Sequence, residues 1–323
     1  LMLLPIWLIV ITVHELGHTI AGFSQNFELK QFIVGPFIWR TDKEGKLNFE
    51  WNTQQMGLLA GAALMAPQGE IRLASRFRWY AAGGPLASLL FGLLLFILPQ
   101  IIGLSDFVRS LVQITVVMTI LIGVLSLIPT RVGGMPSDGM RLLTLSQKTP
   151  TAQADLMVLR AFVLSQTNSN LDVLPIDELM SLSRNESVPS DLRASNAYYA
   201  YTIMLQKGDT EEAYEQLEVA LGNIEQMNAT LQSYYYLEAA LFHFYHSSDL
   251  ETGKRYYDQV ERSPVLDKID LKLAEAAIHK MEGRITEAQE TVSNLESLRK
   301  DSLLGHQWEL QAKRLNGLRD MDQ

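Results

Sequence analysis

The sequence predicts a mainly α-helical, polytopic membrane protein with three core transmembrane helices and a small β-hairpin, followed by a soluble α-solenoid. Three observations predict this class: three long apolar runs, a change of net charge near Thr149 from about +3 to about −12, and a helical repeat in the second half. Because such a charge asymmetry marks separate environments, we expect two domains, a membrane core over 1–148 and a helical-repeat domain over 149–323.

The first apolar run, residues 1–27, contains the sequence HELGH and only one acidic residue, Glu15. It is long enough to span a bilayer. His14 and His18 are four residues apart, so on a helix they share one face and can bind one metal ion, with Glu15 placed to act on a water there. Ionisable side chains in a membrane span are costly and typical of functional sites. Ordinary surface histidines and a proton or ion pathway are the alternatives.

A β-hairpin is predicted over residues 28–51, where two strand-like runs, LKQFIVGPFIWR and KLNFEW, flank a Gly-containing turn. Either the hairpin is purely structural, or it offers an exposed edge strand beside the metal site. In the second case Phe32 and Val34 are candidate substrate contacts. Residues 56–66 are apolar but too short to span, and their structure is left unassigned.

The second apolar run, about 81–102, begins with the sequence AAGGPLAS. Small residues such as Gly83 and Gly84 let another helix approach closely, and Pro85 loosens the backbone locally. Ser88 is equally consistent with plain helix packing and with a direct role in binding substrate.

The third apolar run, about 108–128, precedes a stretch rich in Pro and Gly that breaks any helix. Asp138 is therefore predicted on an irregular turn just past the third span. It supplies a third ligand, so that two imidazoles and one carboxylate leave the fourth metal position open for water. The alternative is an ordinary turn residue, since Asp-Gly pairs are common in turns.

The distribution of basic residues predicts the orientation in the membrane. The loop between the first two spans carries seven Lys and Arg residues, so this loop and the C-terminal half are expected in the cytoplasm. We expect a multi-pass protein of a bacterial cell membrane. The chain has no cysteine, which excludes disulfides and thiolate metal ligands.

An internal repeat marks the second half of the chain. The segment KGDTEEA at 207–213 has counterparts at 247–253 and 282–288, each preceded by an aromatic or Ala-rich helical stretch. The offsets of about 40 and 35 residues are close to the tetratricopeptide period of 34. Stacked helix pairs form a curved surface that can bind a protein partner. Nothing in this acidic half indicates nucleic-acid binding.

Residues 1–147 resemble the site-2 protease family of intramembrane zinc metalloproteases. The resemblance is carried by VHELGH in a span, by IVGPF at 33–37, by AGGPLAS, and by LIP followed by SDG. It implies that His14, His18 and Asp138 bind Zn²⁺ and that Glu15 is the general base. The chain departs from the family at Ser88 and Ser126, where Asn is common, and both are candidate substrate-binding residues.

The resemblance implies hydrolysis of peptide bonds in or near the transmembrane segments of membrane-protein substrates, for regulated proteolysis or for clearance of remnant peptides. The expected partners are a transmembrane protein or peptide, the lipid bilayer, and a protein bound by the C-terminal helical domain. One alternative is a catalytically inactive, membrane-anchored helical-repeat scaffold. A prenyl-protein type of zinc protease is a second rival, opposed by the three spans and by the Asp-Gly ligand.

Overall fold

The computed structural model describes residues 2–42, 45–51, 61–132, 135–166, 171–262, 266–293, 295 and 308–319. The chain divides into two compact units, Leu1–Ala152 and Gln153–Gln323. Each unit is described by itself below.

Three helices of the first unit are long and apolar enough to cross a membrane, as the sequence predicts. The second begins about eight residues before the predicted span, because the amphipathic segment around Arg76 and Trp79 continues the same helix. Arg76 ties this start to the preceding chain by donating hydrogen bonds to the backbone carbonyls of Gln25, Asn26 and Gly69. The helices are α1 (Leu3–Ser24), α2 (Leu73–Ile101) and α3 (Asp106–Leu127).

A four-stranded antiparallel sheet lies between α1 and α2 in the chain, with the strand order β3-β2-β1-β4. The run predicted as one strand over 29–40 is two strands, because Gly35 adopts a positive φ of 53° and Pro36 follows it in a tight turn. The predicted hairpin is therefore a larger sheet. Its strands are β1 (Phe27–Val34), β2 (Phe37–Thr41), β3 (Leu47–Trp51) and β4 (Gly61–Pro67).

One face of this sheet packs against α1. Phe32, Val34 and Ala63 form a buried cluster with Ile11 of α1. The register places Phe32 opposite both Trp39 on β2 and Ala63 on β4, so β1 is an interior strand. Among the described residues, β3 and β4 are the edges of the sheet.

Small residues let α1 and α2 pack with their backbones almost in contact. A Cβ atom on Gly17 would lie 2.3 Å from the Gly83 carbonyl oxygen, and a Cβ on Gly83 would lie 2.3 Å from the Gly17 carbonyl oxygen. Neither position accepts a larger residue without separating the helices. This is the packing role that the sequence predicts for the glycines of the second span.

Beyond α3 the chain forms a short hairpin, β5 (Arg131–Val132) with β6 (Met135–Pro136), and then helix α4 (Asp138–Leu145). Gly139 packs against the last turn of α3, where a Cβ would lie 1.9 Å from the Leu127 carbonyl oxygen. This contact holds the start of α4 against the end of the third apolar helix.

The second unit is helical throughout its described residues. The repeated sequence segments fall at helix–helix turns, where Gly208 and Gly283 have positive φ and Asp249 caps a helix by accepting from the Thr252 N–H. Its helices are α5 (Pro150–Gln166), α6 (Ile176–Arg184), α7 (Ser190–Lys207), α8 (Thr210–Leu221), α9 (Ala229–Phe242), α10 (Leu250–Tyr257), α11 (Lys268–Met281), α12 (Ile285–Ser293) and α13 (Trp308–Arg319).

A buried cluster of polar and charged side chains joins four of these helices. Arg314 of α13 donates through Nη2 to Glu238 Oε2 of α9 at 3.0 Å, and its Nη1 lies 3.7 Å from Asp270 Oδ1 of α11. The Tyr201 hydroxyl of α7 donates to the same Glu238 oxygen at 3.2 Å. All four side chains are almost fully buried, so the cluster is internal to this unit.

Candidate metal centre

His14, Glu15 and His18 lie in the middle of α1 and are buried, with 6–8% of each residue exposed. The helical spacing directs both imidazoles to one side, and their Nε2 atoms are 3.3 Å apart. Two imidazole nitrogens at this distance can both bind the same metal ion.

Asp138 reaches the same volume from α4. It is the first residue of that helix, and Ser137 caps the helix by accepting from the Met140 N–H. The prediction of an irregular turn at Asp138 is therefore wrong, because the Ser-Asp-Gly sequence starts a capped helix there. The Asp138 Oδ2 atom is 3.3 Å from His14 Nε2, and Oδ1 is 3.5 Å from His18 Nε2.

The separations among these donor atoms fit a tetrahedral zinc ion. Zinc–nitrogen distances of roughly 2.0–2.1 Å at tetrahedral angles place neighbouring ligand atoms about 3.3–3.4 Å apart. The two imidazole Nε2 atoms, 3.3 Å apart, match that edge length, and the Asp138 carboxylate places Oδ2 3.3 Å from His14 Nε2 and Oδ1 3.5 Å from His18 Nε2. His14, His18 and Asp138 thus form a group able to hold a metal ion.

The charge of the Asp138 carboxyl suits a metal ligand. Burial acts to raise its pKa, but hydrogen bonds with His14 and His18 outweigh burial and hold the pKa well below its usual range. The group is therefore an ionised carboxylate at neutral pH.

Helix α2 supplies a hydrogen-bond partner for the second nitrogen of each imidazole. His14 Nδ1 is 3.0 Å from the Ser88 hydroxyl oxygen, and His18 Nδ1 is 2.8 Å from the Tyr80 carbonyl oxygen. Gly84 makes this approach possible, since a Cβ there would lie 2.3 Å from His18 Nε2. Sequence reasoning left Ser88 between helix packing and substrate contact and did not find its contact with His14.

The general-base candidate, Glu15, lies beside strand β4. A Cβ on Gly61 would be 2.8 Å from Glu15 Oε1, so the edge strand passes directly along this carboxylate. The Tyr80 hydroxyl donates a hydrogen bond to the Ala63 carbonyl and fastens the same strand to α2. No structure could be assigned to this stretch from sequence, because its Ala, Gly and Met residues carry little strand preference.

The remaining candidate residues make contacts of other kinds. Phe32 and Val34 are buried on the interior strand β1, where both neighbouring strands already use the backbone hydrogen bonds. Ser126 is half-buried on α3 and donates to the Gly123 carbonyl of its own helix at 3.2 Å. The structure records no contact between these three residues and the side chains of His14, Glu15, His18 or Asp138.

Comparison with known proteins adds to this geometry. No curated protein and no solved structure is significantly similar to the chain. The family model of Peptidase family M50, the site-2 protease family of zinc metalloproteases, matches residues 2–299, which include the three donor residues, Glu15 and most of the second unit. A match over this share of the sequence shows that the chain belongs to Peptidase family M50 and is a membrane metalloprotease by family.

Proposed function

We propose that the protein is an intramembrane zinc endopeptidase that uses His14, His18 and Asp138 as metal ligands and Glu15 as general base. The observation that supports this most directly is the convergence of two imidazoles and one carboxylate, with nitrogen–nitrogen and nitrogen–oxygen distances of 3.3–3.5 Å, beside a buried glutamate. His14, His18 and Glu15 belong to a helix apolar enough to cross a membrane, and Asp138 follows another. The site therefore fits hydrolysis close to the lipid.

The chemistry divides between the ion and the chain. A bound zinc ion supplies a Lewis acid that activates water and polarises a peptide carbonyl. The Glu15 carboxylate takes the proton from the attacking water and delivers it to the leaving amine nitrogen. The two imidazoles and Asp138 hold fixed positions throughout, since each is constrained by contacts from α2 or by the capped start of α4.

The proposed substrate is a transmembrane segment of another protein. A helix satisfies its own backbone hydrogen bonds, so the scissile peptide must unwind before it can reach the site. Strand β4 is an edge of the sheet among the described residues and runs past Glu15, so it can pair with an unwound segment. This assigns strand pairing to β4, in place of the interior strand with Phe32 and Val34.

The orientation in the membrane is inferred from the basic residues, and the role of the second unit is inferred from its acidic composition and its helical repeat. The chain crosses a bacterial cell membrane several times, with the loop over 28–78 and the C-terminal unit in the cytoplasm. The C-terminal unit selects or regulates the protein partner through a tetratricopeptide-like helical repeat. Cleavage then occurs near the cytoplasmic face and releases a cytoplasmic fragment or removes a remnant peptide.

The test is cleavage of a panel of single-span substrates by the full chain in lipid vesicles. Wild-type protein loaded with zinc should cut at least one of them, and Glu15→Gln should lower the rate by about 10²-fold or more. The Glu15→Gln protein should retain zinc, because that residue is not a ligand. Equal cleavage by both proteins would exclude Glu15 as the base, and zinc-loaded wild type that cuts nothing would support the inactive scaffold.

A further inference from the structure

Ser88 lies at the centre of the first unit, wedged between α1 and α3. Its side chain is fully buried, and its Oγ atom is 3.0 Å from His14 Nδ1. Gly123 of α3 leaves the space that Ser88 fills, since a Cβ at Gly123 would lie 3.1 Å from the Ser88 Cβ. The hydroxyl is thus held against the imidazole from behind, on the side away from Asp138.

The direction of this hydrogen bond follows from the other nitrogen of the ring. His14 Nε2 faces both His18 Nε2 and the Asp138 carboxylate at 3.3 Å, so it is the nitrogen available to a metal. A neutral imidazole that coordinates through Nε2 carries its proton on Nδ1. His14 Nδ1 therefore donates and the Ser88 oxygen accepts, which fixes both the tautomer and the rotation of the ring.

The two histidines differ in how they are held. His18 Nδ1 faces two backbone groups, the Tyr80 carbonyl at 2.8 Å and the Gly84 N–H at 3.4 Å, so its contacts on this side do not depend on a side chain. His14 depends on a single hydroxyl group. One imidazole is therefore fixed by the fold of α2, and the other by the identity of one residue on the same helix.

We propose that Ser88 is a positioning residue that orients His14 for metal binding and thereby sets the metal affinity of the site. This inference rests on the proposed zinc function and differs from the substrate-binding role considered for Ser88. The proposed role does not require Ser88 to contact the substrate. The Ser88 hydroxyl therefore affects the metal affinity of the site even when no substrate is bound.

The test compares zinc binding by full-length protein carrying Ser88→Ala with that of the wild type. Alanine favours helix and removes only the hydroxyl, so the variant should fold. Competition with a chromophoric chelator should show zinc binding weakened about 10–100-fold, the range for loss of an outer partner of a metal-bound histidine. The visible absorption of the cobalt-substituted protein should also change, because the orientation of one ligand changes.

Thr119→Val is the matched control. Thr119 is also fully buried, but its hydroxyl donates to the Thr115 carbonyl of its own helix at 2.7 Å. Its removal should leave zinc affinity and the cobalt spectrum at wild-type values. If Ser88→Ala bound zinc within about twofold of wild type, with only the stability of the metal-free protein lowered, Ser88 would be a packing residue and the inference would be wrong.

The result also separates this inference from the proposed function, since no step of the test requires cleavage. A wild-type protein that binds zinc and cuts no substrate contradicts the protease proposal alone. Weakened zinc binding by Ser88→Ala in that same protein would still support the role of Ser88.

Discussion

Each unit of the molecule buries a cluster of ionisable side chains, and the two clusters are completed in opposite ways. In the second unit, the guanidinium of Arg314 lies between the carboxylates of Glu238 and Asp270, so the cation belongs to the chain. In the first unit, Asp138 faces His14 and His18, and all three present electron-pair donors to one point. A cluster that includes its own cation needs no added ion, whereas converging donors can bind one.

This contrast distinguishes a candidate binding site from a structural cluster, which burial alone cannot do. Both clusters lie away from water, and burying charge is costly in either case. The cluster of Arg314 contains its own cation, which pairs with Glu238 and lies 3.7 Å from Asp270. The cluster of His14, His18 and Asp138 has spacings that suit an added ion, and it lies next to a further carboxylate, Glu15, that faces an edge strand.

The largest effect expected from breaking the first cluster comes from Gly84→Ala. The added Cβ would lie 2.3 Å from His18 Nε2, so either the ring must leave the site or α1 and α2 must separate. Zinc binding and cleavage should both fall to background. Gly103→Ala is the control, because a Cβ at Gly103 meets no atom within 4 Å, and it should match wild type in both assays. Retained zinc in Gly84→Ala would show that His18 is not a ligand in this position.

Arg314→Met breaks the second cluster by removing its cation, which leaves the buried Glu238 carboxylate without the positive charge that pairs with it. We expect a loss of about 3–5 kcal/mol in the stability of the second unit, because an uncompensated buried charge is strongly destabilising. Denaturant unfolding followed by circular dichroism measures it. Zinc content should stay at the wild-type value, since no metal ligand changes.

Arg262→Met is the surface counterpart. Arg262 pairs with Glu275 while its side chain is 74% exposed, so its loss should cost only about 0–1 kcal/mol. Similar losses for the two arginines would mean that Arg314 is solvated in solution, and the distinction between the clusters would fail.

A further effect is a dependence of stability on pH through Asp270. Burial and the neighbouring Glu238 and Asp267 carboxylates raise its pKa to about 8, against the lowering effect of Arg314 and Gln311. Between about pH 4 and pH 8 the folded state therefore holds a proton that the unfolded state releases. Stability from this group is complete below about pH 4 and is lost as the pH rises to about 8, by at most about 1.4 kcal/mol per pH unit.

Asp270→Asn should remove this dependence and flatten the stability of the second unit over the same pH range. Unfolding measured at several pH values between 4 and 8 checks it, with wild type as the reference. An equally steep dependence in the variant would assign the titration to a group other than Asp270.

The parts of the site that could be predicted from sequence are those with local causes. The spacing of His14 and His18 on a helix follows from helical geometry, and the three apolar helices follow from the length of the apolar runs. Asp138 could be placed near the end of the third apolar helix, although its helix-starting conformation was missed. The Ser137 cap was the local signal for it.

What sequence reasoning missed depends on contacts between distant residues. Strand β4 forms because Gly61–Pro67 pairs with β1, about 30 residues earlier in the chain, and not because its own residues favour a strand. The contact of Ser88 with His14 joins residues 74 positions apart, and Arg314 meets Glu238 across 76. No pattern within one segment reports such pairs.

The zinc stoichiometry of the purified protein tests the central claim most directly. Elemental analysis should find about one zinc per chain in wild type. In Asp138→Asn, which keeps the size of the side chain and removes the ionised carboxylate, zinc should be largely lost while the three apolar helices remain folded. One zinc per chain in Asp138→Asn, or none in a wild-type protein that still cleaves substrate, would contradict the assignment of this cluster as the catalytic metal centre.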